Sequence, residues 1–319
     1  MPQRIILDTD LAMGAPGSDI DDGFALALAH ADPEIDLELI TTVNGNTDVE
    51  SATLLTLELI KRLGITDVPV IKGAATPLTH PERRRGALPE VTENYGIGLQ
   101  PSPGYAPAAI ADLVMSNPGE ITIVAIGPLT NIAAAIALEP RLPAAVKELV
   151  MMGGIFLGTM THRAMPGEFN VWVDPEAAAA VLRCGAPQRW VGLDVTLQVR
   201  LTREHAARLS AADGAFSQLA GEATRAWIDH IHARNPGRAI DADSCAMHDP
   251  LAVAALTRPE LLTWRDASVE VVTGDGVARG VMVSDLLEGA TPPPPNATIA
   301  TAVDVDGFTK HFLGSIERL

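Results

Sequence analysis

Five carboxylates crowd one short stretch near the amino terminus: Asp8 and Asp10 end the apolar run Ile5-Ile6-Leu7, and Asp19, Asp21 and Asp22 follow a glycine-rich insertion. Like charges packed this closely raise one another's pKa values and repel unless a cation neutralises them. Hard carboxylate oxygens select calcium or magnesium over zinc, so a bound divalent metal is the first chemistry these residues suggest. Taken alone, Asp8 and Asp10 could equally cap a helix or turn at a strand end. A further aspartate in His248-Asp249-Pro250 shifts the balance towards metal binding. The stretch Leu11–Ser18 carries Gly14, Pro16 and Gly17 but lacks the Gly-Lys-Ser/Thr of a phosphate-binding loop, and it reads as a flexible insertion. The Asp19–Gly23 run has neither the spacing nor the terminal glutamate of a calcium-binding helix-loop-helix.

The elements that must position these groups follow βαβ grammar. Strands are expected at Arg4–Leu7, Leu37–Val43, Pro69–Lys72, Ile121–Ala125, Glu148–Met152, Arg189–Leu193 and Thr298–Val303. Helices are expected between them at Asp22–His30, Val49–Leu63, Ala106–Met115, Leu129–Leu138 and Pro175–Cys184, with a last one closing the chain. The fold class is therefore α/β, a mostly parallel open sheet flanked by helices with a Rossmann-like core, built as one domain over residues 1–319. Polar residues gather where the strands end: Asp8 and Asp10, Asn44 and Asn46, Gly127, Asn170 and Asp194. Open α/β sheets place their ligands there. The stretches Ala74–Pro107 and Asn235–Asp249 show no clear elements and read as functional lids. Pro292–Pro295 reads as a polyproline turn before the last strand.

The net charge of −17, from 23 basic against 40 acidic residues, argues against nucleic acid, whose binding requires a basic footprint. Cys184 and Cys245 have no metal-site or disulfide spacing and are expected to be reduced. Neither a leader segment nor a membrane span is expected, which points to a cytoplasmic protein with no membrane partner.

Taken together, Leu7-Asp8-Thr9-Asp10 with Asp21-Asp22, Ile40–Asn46, Gly127-Pro128-Leu129-Thr130-Asn131, Met151–Gly154, Glu168-Phe169-Asn170, Asp174–Ala178 and His248-Asp249-Pro250 form an ordered set. In that set the chain resembles the inosine-uridine preferring nucleoside hydrolases, over nearly its whole length. The resemblance implies calcium-dependent hydrolysis of the N-glycosidic bond of ribonucleosides, releasing free base and ribose. It implies a calcium ion held by Asp10, Asp22, the carbonyl of Ile126 and Asp249, with Asp8 in support. Asp10 would take a proton from the metal-bound water that attacks C1′. Asp21 and Asn46 would hold the ribose hydroxyls, Glu168 and Asn170 the far side of the sugar, and His248 would lie near the base or the 5′-hydroxyl. The family also implies a homo-oligomer, a dimer or tetramer, acting in nucleoside salvage. Cleavage through an oxocarbenium-like state suits a pocket of carboxylates, because they stabilise positive charge that develops only as the bond breaks.

The chain departs from the family pattern at three places. The connection from Asp10 to Asp21 is lengthened by Leu11–Ile20, which leaves two alternatives: the insertion loops outward, or Asp19 replaces one of the later aspartates. Before Glu168, where the family carries a sugar-binding asparagine, Thr159 is the nearest substitute. In the first lid Tyr95 stands where a histidine usually contacts the leaving group, and in the second Trp227 and His230 share a helical face from which they could stack on and protonate a departing base. The plainer reading of that pair is a partly exposed aromatic helix. Two rival functions remain open: a calcium-dependent nucleoside or pentose-binding protein without turnover, and a haloacid-dehalogenase-type phosphatase. The latter pattern expects Thr or Val where Ala12 stands.

Overall fold

The computed structural model describes residues 1–158, 165–287, 291 and 293–319. Its centre is a nine-stranded sheet. The strands are β1 (Gln3–Thr9), β2 (Ile35–Thr42), β3 (Val70–Lys72), β4 (Thr122–Ala125), β5 (Glu148–Met152), β6 (Gln188–Val191), β7 (Arg200–Thr202), β8 (Ser244–Ala246), β9 (Leu262–Val271), β10 (Met282–Asp285) and β11 (Ala297–Val303). Across the sheet the order is β10-β9-β11-β6-β5-β4-β1-β2-β3, while β7 and β8 form a separate antiparallel ribbon. From β11 to β3 every pairing is parallel. At the other end, β9 runs antiparallel to β11, and β10 antiparallel to β9.

The mostly parallel sheet is the expected one, and its chemistry explains why it was readable. Helices cover both faces, so the central strands are apolar on both sides. In β1, Ile5 and Leu7 enter one core with Phe24 and Leu251, whereas Ile6 faces the other with Ile123 and Ile132. Leu149 and Val150 divide in the same way in β5.

Three expectations are corrected. The antiparallel end was not anticipated, because β9 alternates buried and exposed residues and carries Arg265, Asp266 and Glu270, so it shows no continuous apolar run. The two stretches read as irregular contain a 3-10 turn at Pro81–Arg83, a helix at Pro89–Asn94 and strand β8. Finally, the insertion after Asp10 is packed along most of its length, and only its tip at Pro16 and Gly17 is exposed. Leu11, Ala12, Met13, Ala15 and Ile20 are all buried, because burying five apolar side chains is worth more than solvating them, and Met13 packs onto Gly23 at the start of the next helix.

Pro293 to Pro295 precede β11 without regular structure, and Pro292 lies outside the described residues. Cys184 and Cys245 are both free thiols. Among the described residues no helix is long and apolar enough to cross a membrane.

Candidate active site

The sheet order reverses direction at β1: the chain passes from β1 outward to β2 and β3, then returns to β4 on the other side. The crevice beyond the carboxyl ends of β1 and β4 is the topological switch point of such a sheet. Asp10 stands one residue past β1 and Ile126 one past β4, with Asn44, Gly45 and Asn46 just past β2. Two helices aim their amino termini at the same place. Asp21 and Asp22 open the helix Asp21–Ala31, and Asp249 sits in the first turn of His248–Thr257. The partial positive charge of a helix amino terminus stabilises carboxylates there.

The carboxylates are fixed by a dense set of donors. Asp8 accepts from Thr41 Oγ1 at 2.5 Å and from Asn131 Nδ2 at 2.7 Å, both on Oδ1. Asp10 Oδ2 accepts the backbone N–H of Asn46 at 2.6 Å, and a side chain at Gly45 would overlap that oxygen. Asp22 accepts from the Thr9 hydroxyl and from Asn46 Nδ2 at 3.1 Å. Asp21 Oδ2 accepts the backbone N–H of Asp249 at 3.1 Å, joining segments far apart in sequence. The Asn44-Gly45-Asn46 turn thus serves the site directly.

Burial works against these charges. It pushes the Asp8 carboxyl up to about 7, against the pull of its Thr41 and Asn131 hydrogen bonds. Burial, and then the neighbouring Asp21 charge, push Asp22 up to about 7. Asp10 and Asp249 are raised well above the ordinary carboxylate range, by burial first and then by the other aspartates. A carboxylate group of this kind is held together most simply by a cation. The residues fit one: Asp21, Asp22 and Asp249 each offer an oxygen within 4.8 Å of the others, and all three are buried. Asp8 Oδ2 and Asp10 Oδ1 are buried without a hydrogen-bond partner among the described residues. An all-oxygen donor set suits a hard divalent ion. Asp21, expected on the ribose, has a carboxylate oxygen in this tight group, and Asp10 stands alongside, near enough for the Asp22 charge to raise its pKa. Asp19, the alternative for one of the later aspartates, is not in that tight group.

The remaining predicted residues divide into two groups. Glu168 and Asn170 lie on the sheet side. Glu168 caps the helix Phe169–Val173, accepting the N–H groups of Asn170, Val171 and Gly154, and burial raises its pKa against those bonds. Asn170 Nδ2 donates to the Ile126 carbonyl at 2.8 Å and the Met152 carbonyl at 3.2 Å, so it tethers the expected metal carbonyl. His248 Nδ1 shares a hydrogen bond with Thr196 Oγ1 at 2.7 Å, and burial lowers its pKa. On the lid side, Tyr95 ends the short helix Pro89–Asn94 and leans on Gly14. Trp227 and His230 stack at 5.4 Å and 13° on the helix Ala215–Arg234, the shared face expected from their spacing. Thr159 lies outside the described residues.

Several supporting residues have no role assigned by the sequence, even where they stand in its motifs. Asn131, Thr9, Thr41 and Thr196 each hold a site carboxylate or imidazole, yet only the fold brings them there. Asn44 Oδ1 accepts the Arg85 N–H at 3.0 Å, anchoring the first lid, while its buried Nδ2 has no partner among the described residues. Arg83 and Arg85 extend that anchor by lying over Trp172 and Phe169, at 4.3 and 5.8 Å from the ring centroids.

Comparison with known proteins finds relatives over nearly the whole chain. Residues 5–310 match the family model for inosine-uridine preferring nucleoside hydrolase. The non-specific ribonucleoside hydrolase RihC of Salmonella agona is 40% identical over 311 residues, covering 96% of this chain and 94% of that protein. Among solved structures, a plant nucleoside hydrolase superposes with a TM-score of 0.86 at 29% identity, covering 99% of both chains. A purine-preferring ribonucleoside hydrolase from Gardnerella vaginalis gives 0.84 at 29% identity, over 99% of this chain and 98% of that one.

Proposed function

The chain belongs to the inosine-uridine preferring nucleoside hydrolase family and is a ribonucleoside hydrolase, and on that premise we propose that it is a calcium enzyme whose carboxylate cluster performs the chemistry. The observation that carries this reading is the gathering of buried aspartates at the switch point, with Asp10 Oδ1 unpartnered among the described residues. Asp10, Asp22, Asp249 and the Ile126 carbonyl would hold the cation, with Asp21, whose oxygen lies in the same group, between the cation and the ribose. When bound, calcium would offset the clustered negative charge and acidify the attacking water.

The protein's own groups do the rest. Asp10 is fixed through Oδ2 by the Asn46 N–H, so its free Oδ1 is the atom that takes the proton of the attacking water. Asp8 holds that end of β1 in place through Thr41 and Asn131. Asn46 and Asp21 offer an amide and a carboxylate to the ribose hydroxyls, and Glu168 and Asn170 support the opposite side. Negative charge around the sugar stabilises the oxocarbenium character that builds up at C1′. His248, oriented by Thr196, lies at the 5′-hydroxyl or base. Tyr95, Trp227 and His230 form the leaving-group end, where His230 donates a proton to the departing base. Direct attack by water inverts C1′ and releases ribose. As in many members of the family, a dimer or tetramer is the expected assembly, and nucleoside salvage the expected role.

The test is reducing-sugar release from inosine, adenosine, guanosine, uridine and cytidine, before and after chelation and with calcium added back. Calcium-restored ribose release supports the proposal and ranks the bases. Full release after exhaustive chelation removes the metal from the mechanism, and calcium and ribose binding without release makes the chain a binding protein.

A further inference from the structure

The loop between Asp10 and Asp21 joins the first lid, at Tyr95, to the helix Ala215–Arg234, at His230. It begins and ends on carboxylates of the site. Its apolar residues are buried, and its two glycines with left-handed backbone touch aromatic groups from distant parts of the chain. Gly14 has φ +103°, and an ideal Cβ there would lie 3.1 Å from the Tyr95 hydroxyl oxygen. Gly17 has φ +67°, and its Cβ would lie 2.9 Å from His230 Cε1 and 3.2 Å from Nδ1. Trp227 covers one face of the same imidazole. The ring is thus located by a face and an edge, which leaves Nε2 buried and without a partner among the described residues.

We propose that this loop is a positioning element for the leaving-group end of the site, in which the bare backbone at Gly17 fixes the His230 ring against Trp227 and Gly14 does the same for Tyr95. The inference rests on the reading of His230 as the group that serves the departing base. A side chain at Gly17 must push the imidazole edge away, because a Cβ does not stand 2.9 Å from a ring carbon, and the buried Ala15 and Ile20 on either side of the exposed loop tip restrain its retreat. Displacing a proton donor by about an ångström costs catalysis roughly tenfold to a hundredfold, and only where the leaving group needs that proton.

The experiment compares Gly17→Ala with Gly64→Ala and His230→Ala on inosine, uridine and an activated aryl riboside. Gly64 has nearly the same backbone, φ +72°, but open space around its Cβ, so its alanine variant carries the left-handed strain without the collision. Gly17→Ala should lower kcat for the nucleosides roughly tenfold or more while aryl riboside turnover stays within about twofold, and Gly64→Ala should leave both within about twofold. If Gly17→Ala does not fold, Gly17→Asn carries the same Cβ with less strain, because asparagine tolerates left-handed backbone. A leaving-group-selective loss in either Gly17 variant supports the proposal. A Gly17 variant that matches Gly64→Ala, or that loses all substrates equally, overturns it while a selective His230→Ala keeps the underlying reading intact. A non-selective His230→Ala removes that reading, and the inference falls with it.

Discussion

Asp10 enters the site with one carboxylate oxygen committed to the Asn46 N–H and the other buried and free. Replacing it with asparagine keeps the shape and the bond from Asn46 but removes the proton acceptor. Asp10→Asn is therefore expected to cut ribose release by about 10³-fold, within the range of a lost general base. Its melting temperature in the metal-free state should not fall, since the substitution removes one of several buried like charges. Substantial residual release in a well-folded Asp10→Asn protein would remove Asp10 as the base. Asn131 works at the same scale without chemistry of its own: it reaches Asp8 from one residue inside a helix, and it also binds the Thr42 carbonyl, locking the ends of β1 and β2 together.

At the scale of elements, the site depends on caps and clamps that tie loops to helices. Asp174 caps the helix Pro175–Leu182 through the Ala177 N–H, and the same carboxylate takes the Leu78 N–H at 2.9 Å and the Thr130 hydroxyl at 2.7 Å. One buried group thus fastens a helix start, the beginning of the first lid and the helix after β4. Asp174→Ala loses a cap and strands buried donors, so it should destabilise the protein by about 2–4 kcal/mol. The check is a denaturant titration in which the midpoint drops and the slope stays constant; a change below about 0.5 kcal/mol would show that these donors find other partners. Farther along the same lid, Arg83 donates to the Trp172 carbonyl while stacking on its indole, which fixes the lid to the short helix that carries Asn170.

For the molecule as a whole, the buried carboxylates make stability a function of pH and of calcium. Asp8 and Asp22 titrate near 7 in the folded protein, and Asp10 and Asp249 are raised as well, against about 3.9 for an unfolded aspartate. Between those values the folded state holds more protons than the unfolded chain. Stability of the metal-free protein is therefore greatest below about pH 4, as far as these groups are concerned, and is lost as pH rises through about 7. Thermal melts after chelation should show the melting temperature falling from pH 5 to pH 7.5. Calcium should reverse the fall, adding about 2.7 kcal/mol at a hundredfold excess over its Kd, and more at pH 7.5 than at pH 5, because it competes with those protons. A chelated protein whose melting temperature rises over that range, or a calcium effect independent of pH, would contradict the cluster as the binding site.

The sequence by itself determined the parallel half of the sheet and the chemistry at its edge. Strands buried on both faces must be apolar throughout, so β1, β4 and β5 stand out, and a pair of aspartates directly after such a run has few purposes. It also determined that Trp227 and His230 share a face, because helical spacing alone sets that. Tertiary structure decided what depends on contacts across the chain. Only the fold could put Asp249 against Asp21, Asn131 on Asp8 and Thr196 on His248, since nothing local in those segments encodes the partner. The insertion is the clearest case. Its glycines and proline suggested a free loop, but Leu11, Ala12 and Met13 bury themselves beside the first helix, and that packing turns Gly14 and Gly17 towards Tyr95 and His230. Local composition specifies the backbone a loop can adopt; the burial of its apolar side chains selects where that backbone lies.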